Sequence, residues 1–162
     1  MSPQVSTRGQ RRRHEASVRK NVKASYSGFK LWEAGDIDGL IRLYGPQAKL
    51  WHLEGWPEPG PTVGRAAIRR QFNTLREGWT DISIDVEEIE GRDDWVVARV
   101  RWSARGEESG VTGEVRYSAA TRFVGGLIVE VHYCWAHEDA LRAAGWLPDE
   151  GGDQGAGKPA SE

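Results

Sequence analysis

The hydrophobic period of this chain changes from helical to alternating near Gly78, and that change limits the folds open to it. Before Gly78, Val18, Val22, Tyr26, Phe29 and Trp32 recur every three or four residues. That spacing gathers them on one face of a long first helix, about 15–34. After Gly78 the period is two: Ile82, Ile84 and Val86 alternate with Ser83, Asp85 and Glu87. Such alternation marks strands with one face buried. Further strands are expected at about 95–105, 111–123 and 127–135. The turns G-R-D-D and G-E-E-S-G and the tight hairpin pair Gly125-Gly126 separate them. Helices first and an antiparallel meander after give an α+β class.

The stretch 34–72 reads A-G-D-I-D-G-L, then A-K-L-W-H-L, then a Pro/Gly loop, then T-V-G-R-A-A-I-R-R-Q-F. Gly35 ends the first helix, because glycine enters the left-handed conformation cheaply. Asp36 opens a second helix, about 36–44, by accepting from free backbone N–H groups. Ile37, Leu40, Ile41 and Tyr44 fall on its inner face. A strand is expected at 47–53. The loop 55–63 contains Pro57, Pro59 and Pro61, which exclude helix and inner strand. Thr62 or Gly64 opens a third helix, about 64–77, with Ile68, Phe72 and Leu75 buried. A last short helix at 138–144 is closed by Gly145 and followed by Pro148.

A chain of 162 residues suits one domain with a single core. The expected domain is 15–147, between a basic tail at 1–14 and a Gly-rich, acidic tail at 148–162, both expected to be disordered. Net charge is −2, which argues against a nucleic-acid partner. Arg11, Arg12 and Arg13 are read as a solvated terminus rather than a nucleic-acid arm. The single Cys134 excludes an internal disulfide and a cysteine-based zinc site. No apolar run reaches membrane-spanning length, and the basic start lacks the apolar stretch of a signal peptide. The simplest reading is a cytoplasmic protein with no membrane partner.

Strand alternation sorts the faces. Val96, Ala98, Val100 and Trp102 share one face with Val115, Tyr117, Ala119, Thr121 and Phe123, and with Val129, Val131, Tyr133 and Trp135. Arg99, Arg101, Arg116, Arg122, Glu130, His132 and Cys134 share the other. Burying four unpaired arginines costs more than packing returns, so the apolar set is the concave face. Its aromatics either fill a core or line a cavity with few polar groups, the form of a small-molecule site. The outer face is either a solvated charge ladder or a self-complementary contact between two copies.

The phrases A-G-D-I-D-G-L and G-R-A-A-I-R-R resemble the SnoaL-like group of the nuclear-transport-factor-2-like superfamily, over about residues 18–146. That superfamily includes ketosteroid isomerases, limonene epoxide hydrolase and polyketide cyclases. The resemblance implies a cone-like curved antiparallel sheet wrapped around the long first helix, with three shorter helices. It also implies an interior pocket for a small apolar ligand, chemistry without a cofactor or metal, and a homodimer through the outer sheet face.

His52 falls where the isomerases carry their catalytic carboxylate, counting from the shared phrases. An imidazole titrates near neutrality, so it serves as base or acid at cellular pH. Glu54, two residues on, is placed to orient it. The bland alternative is a hydrogen-bonded histidine at the rim. Departures from the isomerase pattern are clear. Gly28 stands at the position of the oxyanion-hole tyrosine and Ala119 at that of the protonated aspartate, so steroid isomerisation by that route is not expected. The epoxide hydrolase's Asp–Arg–Asp positions match Ala98, Val100 and Tyr133, so that route is not expected either. His52 is therefore the candidate catalytic residue. Trp32, Glu54, Phe72, Trp102, Tyr117, Tyr133 and Trp135 are the candidate binding residues. The competing reading is a non-catalytic ligand-binding or dimeric interaction module.

Overall fold

The computed structural model describes residues 5–149. Helix α1 spans Arg8–Ala34, α2 Ile37–Ile41, and strand β1 Tyr44–Trp51. Strand β2, Thr62–Val63, precedes α3, Arg65–Arg76. Strands β3 (Trp79–Arg92), β4 (Trp95–Gly106), β5 (Thr112–Val124) and β6 (Leu127–Cys134) form the meander, and α4 spans His137–Ala143. The α+β class, the long first helix and the three shorter ones are those expected. Residues 1–4 and 150–162 of the two expected tails lie outside the described residues.

Three boundaries differ from expectation, each for a local reason. Helix α1 starts at Arg8, not near residue 15. Thr7 and Gln10 form a reciprocal capping box there, Thr7 Oγ1 accepting from the Gln10 N–H and Gln10 Oε1 from the Thr7 N–H. Helix α2 stops at Ile41, and Tyr44 opens β1 instead of closing the helix. Pro46 follows two residues on, and the residue before a proline is pushed to extended backbone. The short strand β2 at the end of the proline loop pairs with β1 through Lys49 and Val63.

The six strands make one curved, unclosed sheet in the order β2-β1-β6-β5-β4-β3. The meander is antiparallel, while β1 joins β6 in parallel, so the sheet is mixed. The Gly125-Gly126 turn has both residues at positive φ, as a two-residue hairpin loop needs. A bulge between Arg122 and Phe123 pairs Phe123 with Ile128 and Arg122 with Glu130. It shifts the face assignment: Ile128, not Val129, joins Val131 and Tyr133 on the concave side.

Helix α1 lies along the concave face. Val22, Phe29 and Trp32 pack against a core that includes Leu50, Ile68, Phe72, Val96, Ala119 and Val131. Its polar side chains also cover the sheet edge. Glu33 accepts the N–H of Ile84 at 2.8 Å, and Lys30 donates to the Ile84 carbonyl at 2.9 Å. An edge strand otherwise leaves such groups unpaired. The helix passes close over Gly91 on β3, where an added Cβ would lie 2.5 Å from Val22 Cγ2.

The outer face carries the charge ladder. Arg101 pairs with Asp85, Arg116 with Glu87, Arg99 with Glu88, and Arg122 with both Asp94 and Glu130. Part of that face is nonetheless apolar and covered. Val97 and Ala120 are buried beneath Ala140, Leu141, Ala144 and Trp146 of the α4 region. His137, first residue of α4, meets Ser118 Oγ at 2.8 Å and Glu88 at 3.4 Å. Strand alternation cannot reveal this arrangement, because Val97 and Ala120 sit among arginines on the outward register.

Candidate functional site

Between α1, α3 and the concave sheet face lies a cavity of about 310 Å³. Its walls are mostly apolar: Phe29, Trp32, Leu40, Phe72, Leu75, Trp79, Trp102, Val115, Ala119, Ile128 and Val131. The rings interlock edge to face. Trp32 and Phe72 have centroids 5.4 Å apart, Trp79 and Trp102 5.1 Å, and Tyr117 and Tyr133 5.6 Å. Edge-to-face pairs hold their rings in defined positions, so the space between them persists instead of collapsing.

Two polar groupings interrupt this lining. The inner one is built from phenols. Tyr133 donates a hydrogen bond to Tyr44, and Tyr117 packs on Tyr133. Burial pushes all three pKa values up, well beyond the ordinary phenol range. The three hydroxyls therefore stay protonated and act as neutral hydrogen-bonding groups.

The outer grouping closes on itself. Gln71 of α3 donates its side-chain N–H to His52 Nδ1 at 3.0 Å. His52 Nε2 donates to Thr62 Oγ1 at 2.9 Å, and Thr62 Oγ1 donates to Gln71 Oε1 at 2.5 Å. Each donor in this ring of three finds an acceptor, and the ring holds the tautomer with its proton on Nε2. The imidazole also stacks on Trp56, centroids 4.7 Å apart and planes 12° from parallel. Burial lowers the His52 pKa, with Glu58 opposing weakly. The ring is therefore neutral at neutral pH.

Of the residues singled out from sequence, His52, Trp32, Phe72, Trp102, Tyr117, Tyr133 and Trp135 all line this cavity. Trp135 stands at its mouth, half exposed. Glu54 is exposed and outside the lining. Its backbone carbonyl accepts the Trp135 indole N–H at 3.0 Å, and its carboxylate is not a partner of His52. Strand β1 ends at Trp51, so alternation no longer governs residues 52–54, and Gly55 turns the chain with φ at 98°. The groups that orient His52 are Gln71 and Thr62, which strand counting from position 52 does not reach. Gln71 sits one position before Phe72 on α3, beside the buried stripe; Thr62 ends the proline loop. Ser25 and Tyr44 also line the cavity. Tyr44 faces inward as expected, but from β1 and not from α2. No Asp or Glu stands among the described lining residues.

A family model described as the SnoaL-like domain matches residues 23–131. No curated protein matches the chain by sequence. Solved structures do match. AclR from Streptomyces galilaeus, provisionally assigned as a hydroxylase, is 19% identical, covers 82% of this chain and 85% of its own, and has a TM-score of 0.63. A computationally designed 17-OHP binder is 21% identical, covers 72% and 93%, and has a TM-score of 0.64. RV0760c from Mycobacterium tuberculosis, in complex with estradiol-17β-hemisuccinate, is 21% identical, covers 72% and 94%, and has a TM-score of 0.63. At these identities the likeness is one of fold. Among the described residues no helix is long and apolar enough to cross a membrane.

Proposed function

The chain belongs to the SnoaL-like domain family, with a fold of the nuclear-transport-factor-2-like kind, and from that premise we propose that it takes a small apolar organic molecule into the cavity beneath α1. The observation that carries this reading is the lining itself. Aromatic and aliphatic walls surround about 310 Å³, and the few polar groups are gathered at two places. Apolar walls supply binding energy without direction; a few fixed polar groups supply orientation. Two solved neighbours of the same fold carry steroid ligands or were designed for one. A steroid is therefore a reasonable first probe.

In the catalytic form of this reading His52 is the acid/base group. Its neutral ring keeps one lone pair, on Nδ1, which the Gln71 amide now occupies. A ligand C–H or O–H brought to that nitrogen displaces a neutral amide donor, a weaker partner than a charged one. The chemistry that follows is isomerisation, cyclisation or hydrolysis by proton transfer within the protein's own groups. The binding-only form is favoured by a separate observation: both ring nitrogens of His52 already have partners.

Titration with estradiol, followed by tryptophan fluorescence, tests the proposal, since several indoles face the cavity. Saturable quenching is expected. Its absence with estradiol and with smaller aromatic probes such as 2-naphthol leaves the interaction-module reading. With a turned-over substrate in hand, His52→Gln should lower the rate by about 10²–10⁴-fold, the usual span for a general acid or base. An unchanged rate leaves binding alone. The matching partner proposal is a second copy meeting the charged band of the outer face beside α4. Arg101→Glu should then shift sedimentation towards monomer.

A further inference from the structure

Ser25 lies in the middle of α1 and is 7% exposed. It lines the cavity together with Gly28, Phe29 and Trp32 of the same helix. Its hydroxyl oxygen is buried and has no hydrogen-bond partner among the described residues. A serine inside a helix normally returns its O–H to the carbonyl one turn back, or turns it to solvent. Ser25 does neither. Buried hydroxyls without a partner are rare in natural interiors, because the lost hydration is not replaced. An alanine at this position would fill nearly the same space, favour the helix more and leave nothing unsatisfied.

Resting on the small-molecule reading above, we infer that Ser25 is a hydrogen-bonding anchor of the pocket, its hydroxyl turning from its buried position to the cavity by rotation about χ1 when a ligand is present, and that the ligand carries a hydroxyl or carbonyl oxygen at that end. The hydroxyl is both donor and acceptor, so it serves either group. The free protein keeps an unmatched hydroxyl, and the complex matches it. A ligand lacking that oxygen leaves Ser25 unpaired in the complex, which is how a buried polar group rejects an apolar analogue.

The test compares 2-naphthol with 2-methylnaphthalene, nearly identical in shape, by calorimetric titration of the full chain and of Ser25→Ala. In the variant, 2-naphthol should bind about fivefold to tenfold more weakly, the usual loss for one neutral hydrogen bond, while 2-methylnaphthalene binds as before. The ligand-free variant should melt no lower than the parent, since an unmet polar group has been removed. A serine that serves only packing gives the opposite pattern: a lower melting temperature and an unchanged ratio between the probes. An unchanged ratio with both probes bound overturns the Ser25 assignment and leaves the pocket standing. Failure of both probes to bind the parent removes the pocket reading, and this inference with it.

Discussion

Gln71 on α3 donates its side-chain N–H to Nδ1 of His52, 3.0 Å away at the end of β1. This contact fixes the imidazole's tautomer and ties a helix to a strand across the cavity mouth. Removing it by Gln71→Leu leaves a half-buried nitrogen without a donor. Stability should fall by about 1–2 kcal/mol, read as a lower urea midpoint. The 15N shifts of the ring should move towards a mixture of tautomers. Unchanged 15N shifts would show that Gln71 does not set the proton's position.

The pH dependence follows from the same ring. Burial lowers the folded-state pKa of His52, while the unfolded imidazole titrates near its ordinary value of about 6.5. Above that value neither state takes up the proton. Below it the unfolded chain is protonated first, so stability falls as pH drops towards the folded pKa. Urea midpoints of the parent should decline below about pH 6.5 more steeply than those of His52→Gln. Parallel curves refute the lowered pKa.

Ala119 forms part of the cavity floor and is 2% exposed. Ala119→Leu drives three more carbons from the packed floor towards the cavity. The change should cost about 1–3 kcal/mol of stability, because Ala119 is itself part of the core. Quenching by estradiol should be lost or weakened at least tenfold. Full affinity in a folded variant would place the ligand elsewhere.

Gly91 leaves no room for a side chain between β3 and α1. An added Cβ would meet Val22 Cγ2 at 2.5 Å and Val18 Cγ1 at 3.0 Å. Valine has few rotamers on a helix, so the backbone itself must move. Gly91→Ala should cost about 1–3 kcal/mol, seen as a drop in melting temperature. A neutral substitution would mean that the helix sits further from β3.

Cys134 packs with Leu141 and Trp146 beneath α4, and burial pushes its thiol pKa up to about 11. Little thiolate exists at neutral pH, so a thiol-exchange reagent should react about tenfold or more slowly with the folded chain than with the unfolded one. Leu141→Ala should speed the reaction by loosening α4. Equal rates for folded and unfolded chains would show that α4 does not cover this face.

The elements were readable from sequence because each rests on a strong local signal. The stripe Val18 to Trp32, the Gly35-Asp36 junction and the Gly125-Gly126 turn each admit few conformations. The candidate site was readable only in part. Trp102, Tyr117 and Tyr133 follow from strand alternation, and His52 from a family resemblance. Thr62 and Gln71 do not, since they reach His52 from a proline loop and a helix flank. Ser25 was hidden for another reason: its importance lies in lacking a partner, which only the packed arrangement reveals. Val97 and Ala120 were concealed by arginines on the same register, and α4 became their cover through tertiary packing.

The parallel pairing of β1 with β6 sets an order of events. Leu50 is bonded beside Val131, so about 80 residues of chain separate neighbours in the finished sheet, a non-local contact of the kind that slows folding. The meander from β3 to β6 closes by successive hairpins, each short and local. Strand β1 waits for the last of them before it has anywhere to dock. With it wait His52 at its end and α3 with Gln71. During synthesis β1 and α3 emerge first, yet the mouth they build cannot close until β6 has followed. A ligand that needs both ends of the cavity stabilises only the completed molecule and gives no help to its assembly.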